Sequence, residues 1–446
     1  MNPRIRVLLF FAVLTIGTAS TVHAQWKSAP GDWPGFRGPD RTNLSPETGL
    51  LPQWPAGGPK LVWKSTGLGG GYSTPSLAAG RIYLMGTKGQ AEAGRSKGKG
   101  GRPKGGGGMP ETVVCLDANG GKPRWATEVG STAGGYPGPR CTPTVDGDRV
   151  YAISSNGTLV CLKADDGGIV WKKEFRRDYG GQAGNWAYAE SPLIDGDVLV
   201  CTPGGSTATL VALAKTSGKE IWRSQVALKA KEGQKRGYAT AAYASAVVAE
   251  FDGVKQYVQF LDGGVVGVAA KEGKLLWHYD APASPTANCS MPIVTDGAVI
   301  AAAAYNTGGG RARIVRAGNG FKAEEVWFDK PLQNHHGGLV LVGEHLYGTN
   351  NNSLLCVNAK TGEVVWQNRG VGKGSVAFAD GRLYYRGEDG TMALVDASPA
   401  GYRERGRFAQ PDRSSQRAWP YPVIAGGKLY LRDWDTLLCY DVKGVN

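Results

Sequence analysis

The chain has 446 residues, of which 68 are glycine and 25 are proline, and its formal net charge is +13. Hydrophobic residues at 41% and charged residues at 20% support a packed core and argue against a largely disordered chain. Glycine is present at roughly twice its usual share without a G-X-Y period, and no stretch sustains an apolar stripe at helical spacing, which argues against a collagen-like or mainly helical protein. We therefore expect an all-β protein with many turns.

The first 24 residues have the pattern of an export signal. Arg4 and Arg6 precede an apolar run at residues 7–16, and Val22, His23 and Ala24 stand at the expected cleavage site before Gln25. The run is too short to span a bilayer, and no later segment is apolar enough to do so. Because no cysteine lies near the cleavage point, we expect no lipid anchor. The sequence thus predicts a periplasmic or secreted protein without a transmembrane span.

A repeat of about forty to fifty residues, the range typical of propeller blades, follows an N-terminal strap at residues 25–60. Each unit opens on a small residue and proline, passes through Gly-containing turns and a strand that ends near Cys-Leu-Asp-Ala, and closes on a tryptophan. Large flat side chains can fill the space between neighbouring sheets, so we assign these tryptophans a structural role. They recur every 39 to 62 residues, at Trp63, Trp125, Trp171, Trp222, Trp277, Trp327 and Trp366.

The repeat predicts one eight-bladed β-propeller of four-stranded antiparallel blades over residues 61–444. Its inner strands begin near Pro75, Pro143, Pro192, Ala246, Pro292, Gly338, Ser375 and Pro422. The last unit lacks a closing tryptophan, whereas Trp63 lies upstream of the first inner strand. We therefore predict that this N-terminal strand completes the last blade and closes the ring, which leaves only short, protected sheet edges.

The longest repeat interval contains a Gly-, Lys- and Arg-rich insertion at residues 88–108. Basic, glycine-rich runs suit polyanions, and an adhesive role through this segment is a third hypothesis. We interpret the insertion as a solvated loop between the second and third strands of blade 1. In an exported protein we do not expect nucleic acid as the partner.

The positions of the seven cysteines argue against a disulfide framework. Four of them occupy one place in the repeat, at Cys115, Cys161, Cys356 and Cys439, which indicates a small buried hydrophobic residue in a strand. The sequence contains no CxxC motif and no adjacent cysteine pair, so metal ribbons and covalent c-type haem are excluded.

Three segments, CLDANGGKPRW (115–125), ALAKTSGKEIW (212–222) and CVNAKTGEVVW (356–366), resemble the tryptophan-docking repeat A-x-D-x-x-T-G-x-x-x-W of pyrroloquinoline-quinone (PQQ) propellers. The lead-in DWPGFRGPDRTNLS (32–45) is similar to that of bacterial PQQ-binding-like β-propeller repeat proteins. The resemblance covers nearly all of the mature chain and implies the propeller fold. It implies two alternative functions, because the repeat is shared by quinoprotein alcohol dehydrogenases, which hold PQQ and Ca²⁺ over the central channel, and by propellers without cofactor such as the BamB scaffold of outer-membrane protein assembly.

Our first hypothesis is an exported, monomeric, non-catalytic binding or scaffold protein of the cell envelope. Its partner would be an envelope protein or a small-molecule or carbohydrate ligand. The alternative is a PQQ- and Ca²⁺-dependent alcohol or sugar dehydrogenase. That alternative lacks the adjacent cysteine pair and the c-type haem segment that the resemblance associates with such enzymes. The sequence identifies no catalytic residue and predicts no metal site.

The residues just before each inner strand line one mouth of a propeller channel, and here they are polar, aromatic or charged. The candidate ligand-binding residues are Tyr72, Arg140, Glu190, Tyr243, Asn288, His335, His336, Lys373 and Trp419. Arg140 can fork onto a carboxylate or phosphate, and Trp419 offers a stacking face. Glu190 and Asn288 can supply oxygens to a cation or to sugar hydroxyls.

Two of these assignments have a structural alternative. Arg140 and Glu190 can pair with each other across the channel, since buried charges usually pair. Adjacent residues of an extended strand point to opposite faces, so we expect that His335 and His336 do not share one metal ion.

Overall fold

The computed structural model describes residues 29–88, 108–136, 138–228 and 239–444. The predicted export signal at residues 1–24 and most of the Gly-rich insertion, at residues 89–107, lie outside them. Within the described residues the strands form eight sheets, and the predicted all-β, eight-bladed propeller of antiparallel blades is confirmed. The first two strands along the chain, β1 (Leu44–Ser45) and β2 (Lys60–Ser65), join blades 7 and 8 at the far end of the sequence.

Blades 1 to 4 follow one another along the chain, each running from its innermost to its outermost strand. Blade 1 contains β3 (Ser76–Ala78), β4 (Arg81–Thr87), β5 (Pro110–Asp117) and β6 (Pro123–Ser131); blade 2 contains β7 (Thr144–Asp146), β8 (Arg149–Ile153), β9 (Thr158–Lys163) and β10 (Ile169–Glu174); blade 3 contains β11 (Leu193–Asp195), β12 (Val198–Cys201), β13 (Leu210–Ala214) and β14 (Glu220–Ser224); blade 4 contains β15 (Val247–Phe251), β16 (Val254–Leu261), β17 (Gly264–Ala269) and β18 (Leu275–Tyr279). One short helix, α1 (Phe175–Tyr179), follows β10.

Blades 5 to 8 repeat the same order. Blade 5 contains β19 (Ile293–Thr295), β20 (Ala298–Ala303), β21 (Gly308–Ala317) and β22 (Gly320–Asp329); blade 6 contains β23 (Leu339–Val342), β24 (His345–Thr349), β25 (Leu354–Asn358) and β26 (Val364–Asn368); blade 7 contains β27 (Gly374–Ala379), β28 (Arg382–Gly387), β29 (Thr391–Asp396) and β30 (Glu404–Ala409); blade 8 contains β31 (Val423–Ala425), β32 (Lys428–Asp433) and β33 (Thr436–Asp441). In the part of the chain that the structure describes, no helix is long and apolar enough to cross a membrane.

The ring closes as the sequence predicts. Strand β2 pairs antiparallel with β33 and supplies the outermost strand of blade 8, with Trp63 opposite Cys439. The same pairing of tryptophan and cysteine recurs between Trp125 and Cys115 in blade 1. An additional contact was not predicted: β1 runs parallel to β27 and adds a fifth strand to the inner edge of blade 7.

Five of the repeated tryptophans fasten their blade to the next, whereas Trp277 donates to Gln256 in its own blade. The indole N–H of Trp125 donates to the carbonyl of Ala164 in blade 2 at 3.1 Å, and its ring lies against Gly167. Gly167 has a φ of +74°, and a Cβ there would meet the Trp125 ring at 2.5 Å, so the turn requires glycine. The same bond to the following blade is made by Trp171, Trp222, Trp327 and Trp366. The Gly turn and the closing Trp of the repeat are therefore the two halves of one contact between blades.

The core lies between the blades, where apolar side chains of the middle strands are buried on both faces. Strands β9 and β25 are examples, with every apolar residue buried. The outermost strands are only partly covered, which accounts for exposed apolar residues such as Ile169 and Ile221. As predicted, the repeat cysteines are buried and free, at Cys115, Cys161, Cys356 and Cys439.

Residues 32–47, which we call the plug, cross the central channel. Trp33 pairs with Leu77 through two backbone hydrogen bonds, and the Pro34 carbonyl accepts from Val145. Further along, polar side chains of the plug donate to inner-strand carbonyls of blades 3, 6, 7 and 8: Arg41 to Ser191 and Pro192, Arg37 to Leu339, Asn43 to Val376, and Ser45 to Ile424. The plug therefore contacts the inner strands of six blades, a role that the sequence did not reveal.

Candidate functional site

One mouth of the channel holds a cavity of about 320 Å³. Its wall is built mainly from aromatic and imidazole rings contributed by the loops that enter successive inner strands. We call it the aromatic cup and define it by its ring-bearing residues Phe36, Tyr72, Tyr136, Trp186, Tyr243, Tyr305, His335, His336, Trp419 and Tyr421. Phe36 comes from the plug and packs edge-on against Tyr421, with ring centroids 5.3 Å apart, so the plug forms the floor of the cup.

Six of the nine residues selected from the sequence line this cavity together: Tyr72, Arg140, Tyr243, His335, His336 and Trp419. They meet because each blade starts its inner strand at the channel, so the preceding residues converge on one mouth. Lys373 lies behind the wall, with its ammonium group 2.8 Å from Nδ1 of His335. Glu190 and Asn288 are buried and bonded inside the blades.

The rings on one side of the cup form a continuous surface. Trp419 lies 4.7 Å from Tyr72, 5.4 Å from Tyr136 and 4.4 Å from His336, measured between ring centroids. His336 in turn stacks on His335 at 4.0 Å. These tilted and stacked contacts between rings stabilise one another and form a face on which a ligand could stack.

The histidine pair corrects one expectation from the sequence. His335 and His336 do not point to opposite faces, because their rings stack with an interplanar angle of 26°. The reason is local: both residues precede β23, which begins at Leu339, and lie in irregular backbone where the alternation of a strand does not apply. In the described residues no group of three or more His, Cys, Asp or Glu side chains is arranged to hold a metal ion.

Both histidines are held in the neutral form. Burial, reinforced by the nearby charge of Lys373, lowers the pKa of His335 to about 3. Burial also lowers the pKa of His336 well below its usual value. Since the Lys373 ammonium donates to Nδ1 of His335, the remaining ring proton is assigned to Nε2, which donates to the Tyr305 hydroxyl at 2.7 Å. This chain of bonds fixes the Tyr305 side chain at the rim.

Glu388 lies behind the wall of the cup and orients the side chains of that wall. Its Oε1 accepts from the Trp419 indole N–H at 3.0 Å and lies 3.2 Å from the Lys373 ammonium group. Nε2 of His336 lies 3.7 Å from the same oxygen. The sequence analysis missed Glu388 because it lies in the turn after β28 and not before an inner strand.

Arg140 is the one charged side chain among the described residues that line the cup. Its guanidinium donates to the backbone carbonyls of Gly138, Trp186 and Tyr136 at 3.1 to 3.3 Å and lies 5.8 Å from the centre of the Tyr72 ring. Burial lowers its pKa, but from so high a starting value that the group stays charged at neutral pH. In the described part of the chain no ion pair joins Arg140 to a carboxylate, so the expected alternative of a pair with Glu190 is wrong.

Glu190 and Asn288 do not fit a Ca²⁺ site. The two Glu190 oxygens accept from the Thr202 N–H at 2.7 Å, the Thr202 hydroxyl at 3.0 Å and the Gln259 amide at 3.0 Å. Burial raises the pKa of Glu190 to about 7. The Asn288 side-chain oxygen accepts from the Ser284 N–H, and its amide group donates to the carbonyls of Leu261 and Asp262. Calcium requires six to eight oxygen ligands, and these oxygens are already engaged in holding loops.

Several residues of the cup escaped sequence reasoning. Tyr136 and Trp186 lie several residues before their inner strands, Tyr305 lies in the turn between β20 and β21, and Phe36 is far away in sequence. Only the enrichment of aromatic residues in these Gly-rich loops could have indicated them. Cys289 also lines the cavity and, of the seven free cysteines, is the one that is not fully buried.

Comparison with known proteins gives two kinds of likeness. A family model described as outer membrane protein assembly factor BamB matches residues 109–368. An outer membrane protein assembly factor BamB from Burkholderia pseudomallei (strain K96243) is 25% identical over 266 residues, which are 57% of this chain and 61% of the relative. The match therefore spans less than two thirds of the length of that relative.

Among solved structures, the quinohemoprotein alcohol dehydrogenase from Comamonas testosteroni superposes with a TM-score of 0.59 at 12% identity, over 93% of this chain and 81% of the other. The quinohemoprotein alcohol dehydrogenase ADHIIG from Pseudomonas putida HK5 gives a TM-score of 0.59 at 13% identity, over 94% and 81%. At such identities these likenesses show a common fold and leave function to the site itself.

Proposed function

The chain belongs to the family described as outer membrane protein assembly factor BamB, and on that premise we propose that it is a non-catalytic binding and scaffold protein of the cell envelope. The family match runs from the third strand of blade 1 to the end of blade 6. Because the relative from Burkholderia pseudomallei is an outer membrane protein assembly factor, we propose a role in assembling outer membrane proteins, with an envelope protein as the partner. We further propose that the chain is exported and acts as a monomer.

The observation that carries the proposal is the aromatic cup. It is a preformed, concave surface of rings with one cationic wall residue, Arg140, and its two histidines are neutral. Aromatic side chains and arginine are the residue types most enriched where proteins bind other molecules. The hydrogen-bonding groups around it, such as Glu388 and Lys373, engage one another and hold the rings in place. This arrangement supports binding.

The alternative, a PQQ- and Ca²⁺-dependent dehydrogenase, has the common fold in its support, while the engaged oxygens of Glu190 and Asn288 oppose it. Titrating the purified protein with PQQ in the presence and absence of Ca²⁺, with absorbance and melting temperature as readouts, separates the two. We expect no Ca²⁺-dependent saturation. Saturable binding that is weakened by Glu190→Gln, together with oxidation of alcohols by an artificial electron acceptor, would replace the scaffold proposal.

The scaffold proposal is tested by deleting the gene in the native host and measuring the folded fraction of outer membrane proteins through their heat-modifiable gel mobility. Complementation with the wild-type chain should restore folding, and Trp419→Ala should restore it only in part. Cell fractionation of the same strains tests export. An unchanged folded fraction in the deletion strain would contradict the assembly role.

Photo-crosslinking locates the binding surface in the same cells. A photoreactive residue in place of Tyr136, which is 37% exposed at the cup, should crosslink to an envelope protein. Val365 on the outermost strand of blade 6 is 40% exposed and is the matched control. Equal crosslinking from the two positions would argue against the cup as the site of contact.

A further inference from the structure

Hydroxyls are the most frequent polar group of the aromatic cup. Six of the fifteen lining side chains carry one: Tyr72, Thr74, Tyr136, Tyr243, Tyr305 and Tyr421. A hydroxyl both donates and accepts hydrogen bonds, and its hydrogen rotates to suit its partner. Such a lining can hydrogen-bond to a ligand that itself carries several hydroxyls, while the rings provide faces for stacking.

The positive charge of the cup favours a ligand that carries one anionic group. Arg140 contributes a positive charge at the wall, while Lys373 is already paired with Glu388 at 3.2 Å. The carboxylate that acts on Arg140 from a distance is Glu111, and it is fully buried and bonded to the N–H and hydroxyl of Ser155. Among the described residues Arg140 has no carboxylate partner. Its guanidinium donates to the backbone carbonyls of Gly138, Trp186 and Tyr136, but an arginine carries five N–H donors and keeps its charge, so it can also bind a ligand carboxylate.

The shape of the cup limits the size of the ligand. The plug closes it below through Phe36, which contacts Tyr421, so the channel is blind at this level. A volume of about 320 Å³ lies at the small end of ligand-binding pockets. A ring-sized unit can enter from the mouth, and a chain cannot thread through. The ring surface around Trp419 offers a flat face to such a unit.

We propose that the aromatic cup binds the terminal unit of an acidic carbohydrate, a hexuronic acid. Its carboxylate pairs with Arg140, its ring lies against Trp419, and its hydroxyls bond to the tyrosine and threonine hydroxyls of the wall. The proposal rests on the proposed function only in taking the cup as the binding site, and it is independent of the assembly role.

The direct test is isothermal titration calorimetry of the purified protein with glucuronate and galacturonate. Glucose and galactose are matched neutral controls, and benzoate is a flat carboxylate without hydroxyls. We expect saturable binding of a uronate, with neutral sugars weaker by about ten- to hundredfold because they lack the charge-assisted bond. Binding of neutral sugars with equal affinity, tighter binding of benzoate, or no binding of either uronate at millimolar concentration would overturn the proposal.

Variants of Arg140 test the assigned contact. Arg140→Gln should weaken uronate binding by about ten- to hundredfold, and Arg140→Lys, which keeps the charge but not the fork, should recover part of the loss. Arg403→Gln is the matched control, because its side chain is 70% exposed on blade 7. Melting temperatures show whether each variant is folded. Unchanged affinity in a folded Arg140→Gln protein would refute the assignment.

Cys289 provides a readout on the unmodified protein. Its thiol lines the cup, and burial raises its pKa to about 12, so alkylation is slow and easily followed by mass spectrometry. A bound uronate should slow this labelling, and glucose at the same concentration should not. A labelling rate that no uronate changes would place binding outside the cup and overturn the proposal even if Arg140→Gln fails to fold.

Oligogalacturonates distinguish a terminal unit from an internal one. When concentrations are expressed as chain ends, the monomer, the dimer and longer chains should bind with similar affinity. Affinity that grows with the number of internal units would contradict a blind cup. Failure of the sugar titrations while crosslinking from position 136 persists would reject the ligand class alone, whereas loss of both would reject the cup as a binding site.

Discussion

Replacing Glu111 with glutamine should remove a pH-dependent weakness of the propeller. Glu111 lies at the start of β5 and is fully buried; its Oε2 accepts from the Ser155 N–H at 2.7 Å and its Oε1 from the Ser155 hydroxyl at 2.5 Å. Burial raises its pKa from 4.5 to about 7, although the Ser155 bonds and the charge of Arg140 act in the opposite direction. A glutamine can keep both contacts, since its oxygen accepts from the N–H and its amide donates to the Ser155 hydroxyl.

The direction of this pH dependence follows from the coupling between folding and proton binding at Glu111. Below pH 4.5 the carboxyl group is protonated in both states and has no effect. Between pH 4.5 and 7 the unfolded chain releases its proton first, so the free energy of unfolding falls as the pH rises, and the full penalty is present above pH 7. A shift of this size corresponds to about 3 kcal/mol. Relative to the wild type, Glu111→Gln should therefore gain about 3 kcal/mol in stability between pH 4 and pH 8.

Urea denaturation followed by tryptophan fluorescence at pH 4 and pH 8 measures this difference. Glu190, whose pKa burial also raises to about 7, is present in both proteins and cancels in the comparison. Ser155→Ala is the opposing variant, because it removes a bond that lowers the pKa of Glu111 and should enlarge the loss of stability at high pH. A Glu111→Gln effect of equal size at both pH values would refute the reasoning.

Two further experiments test the packing of the blades: one substitution and one labelling measurement on the native protein. Arg432 of blade 8 is fully buried and donates to the carbonyls of Gly69, Ser73 and Met85 in blade 1 and the segment before it. Arg432→Met should therefore lower the free energy of unfolding by at least about 3 kcal/mol, because it leaves these carbonyls without that donor. An unchanged denaturation midpoint by circular dichroism, with Arg403→Met as control, would contradict this role of Arg432 in joining the last blade to the first. In native protein, alkylation followed by mass spectrometry should modify Cys289 first and leave the buried thiols of Cys161 and Cys356 unreacted, and rapid labelling of Cys161 would argue against the register of blade 2.

The blades could be predicted because their signals are local and repeated. Cys115 and Trp125 are ten positions apart, separated by a Gly turn, and they face each other across β5 and β6. The closing strand was equally accessible, because Trp63 is a closing tryptophan without a preceding blade and Cys439 is its missing partner. Here the repeat itself carries the long-range information.

The plug and the finer geometry of the cup could not be predicted, for physical reasons. Arg37 and Asn43 bond to backbone carbonyls of Leu339 and Val376, and a carbonyl is the same for every residue type, so the sequence does not specify the contact. Glu388 lies in an ordinary turn and becomes relevant only where blade 7 meets the loop that carries Trp419. The stacking of His335 on His336 depends on irregular backbone, where no periodicity applies.

The plug also explains how a common blade architecture is adapted to binding. In a propeller without a plug the channel is open at both ends, so a pocket at its mouth has no floor and its polar residues are in contact with bulk water from both sides. Phe36 closes the lower side, so the rings around Trp419 and the charge of Arg140 act on a ligand in a confined space, where electrostatic and stacking contacts are stronger than in water. The oxygens of Glu190 and Asn288 meanwhile serve the loops behind the wall. On the proposal made above, the mouth of the propeller holds a ligand by the ring face of Trp419 and the charge of Arg140, and the ligand itself supplies the carboxylate.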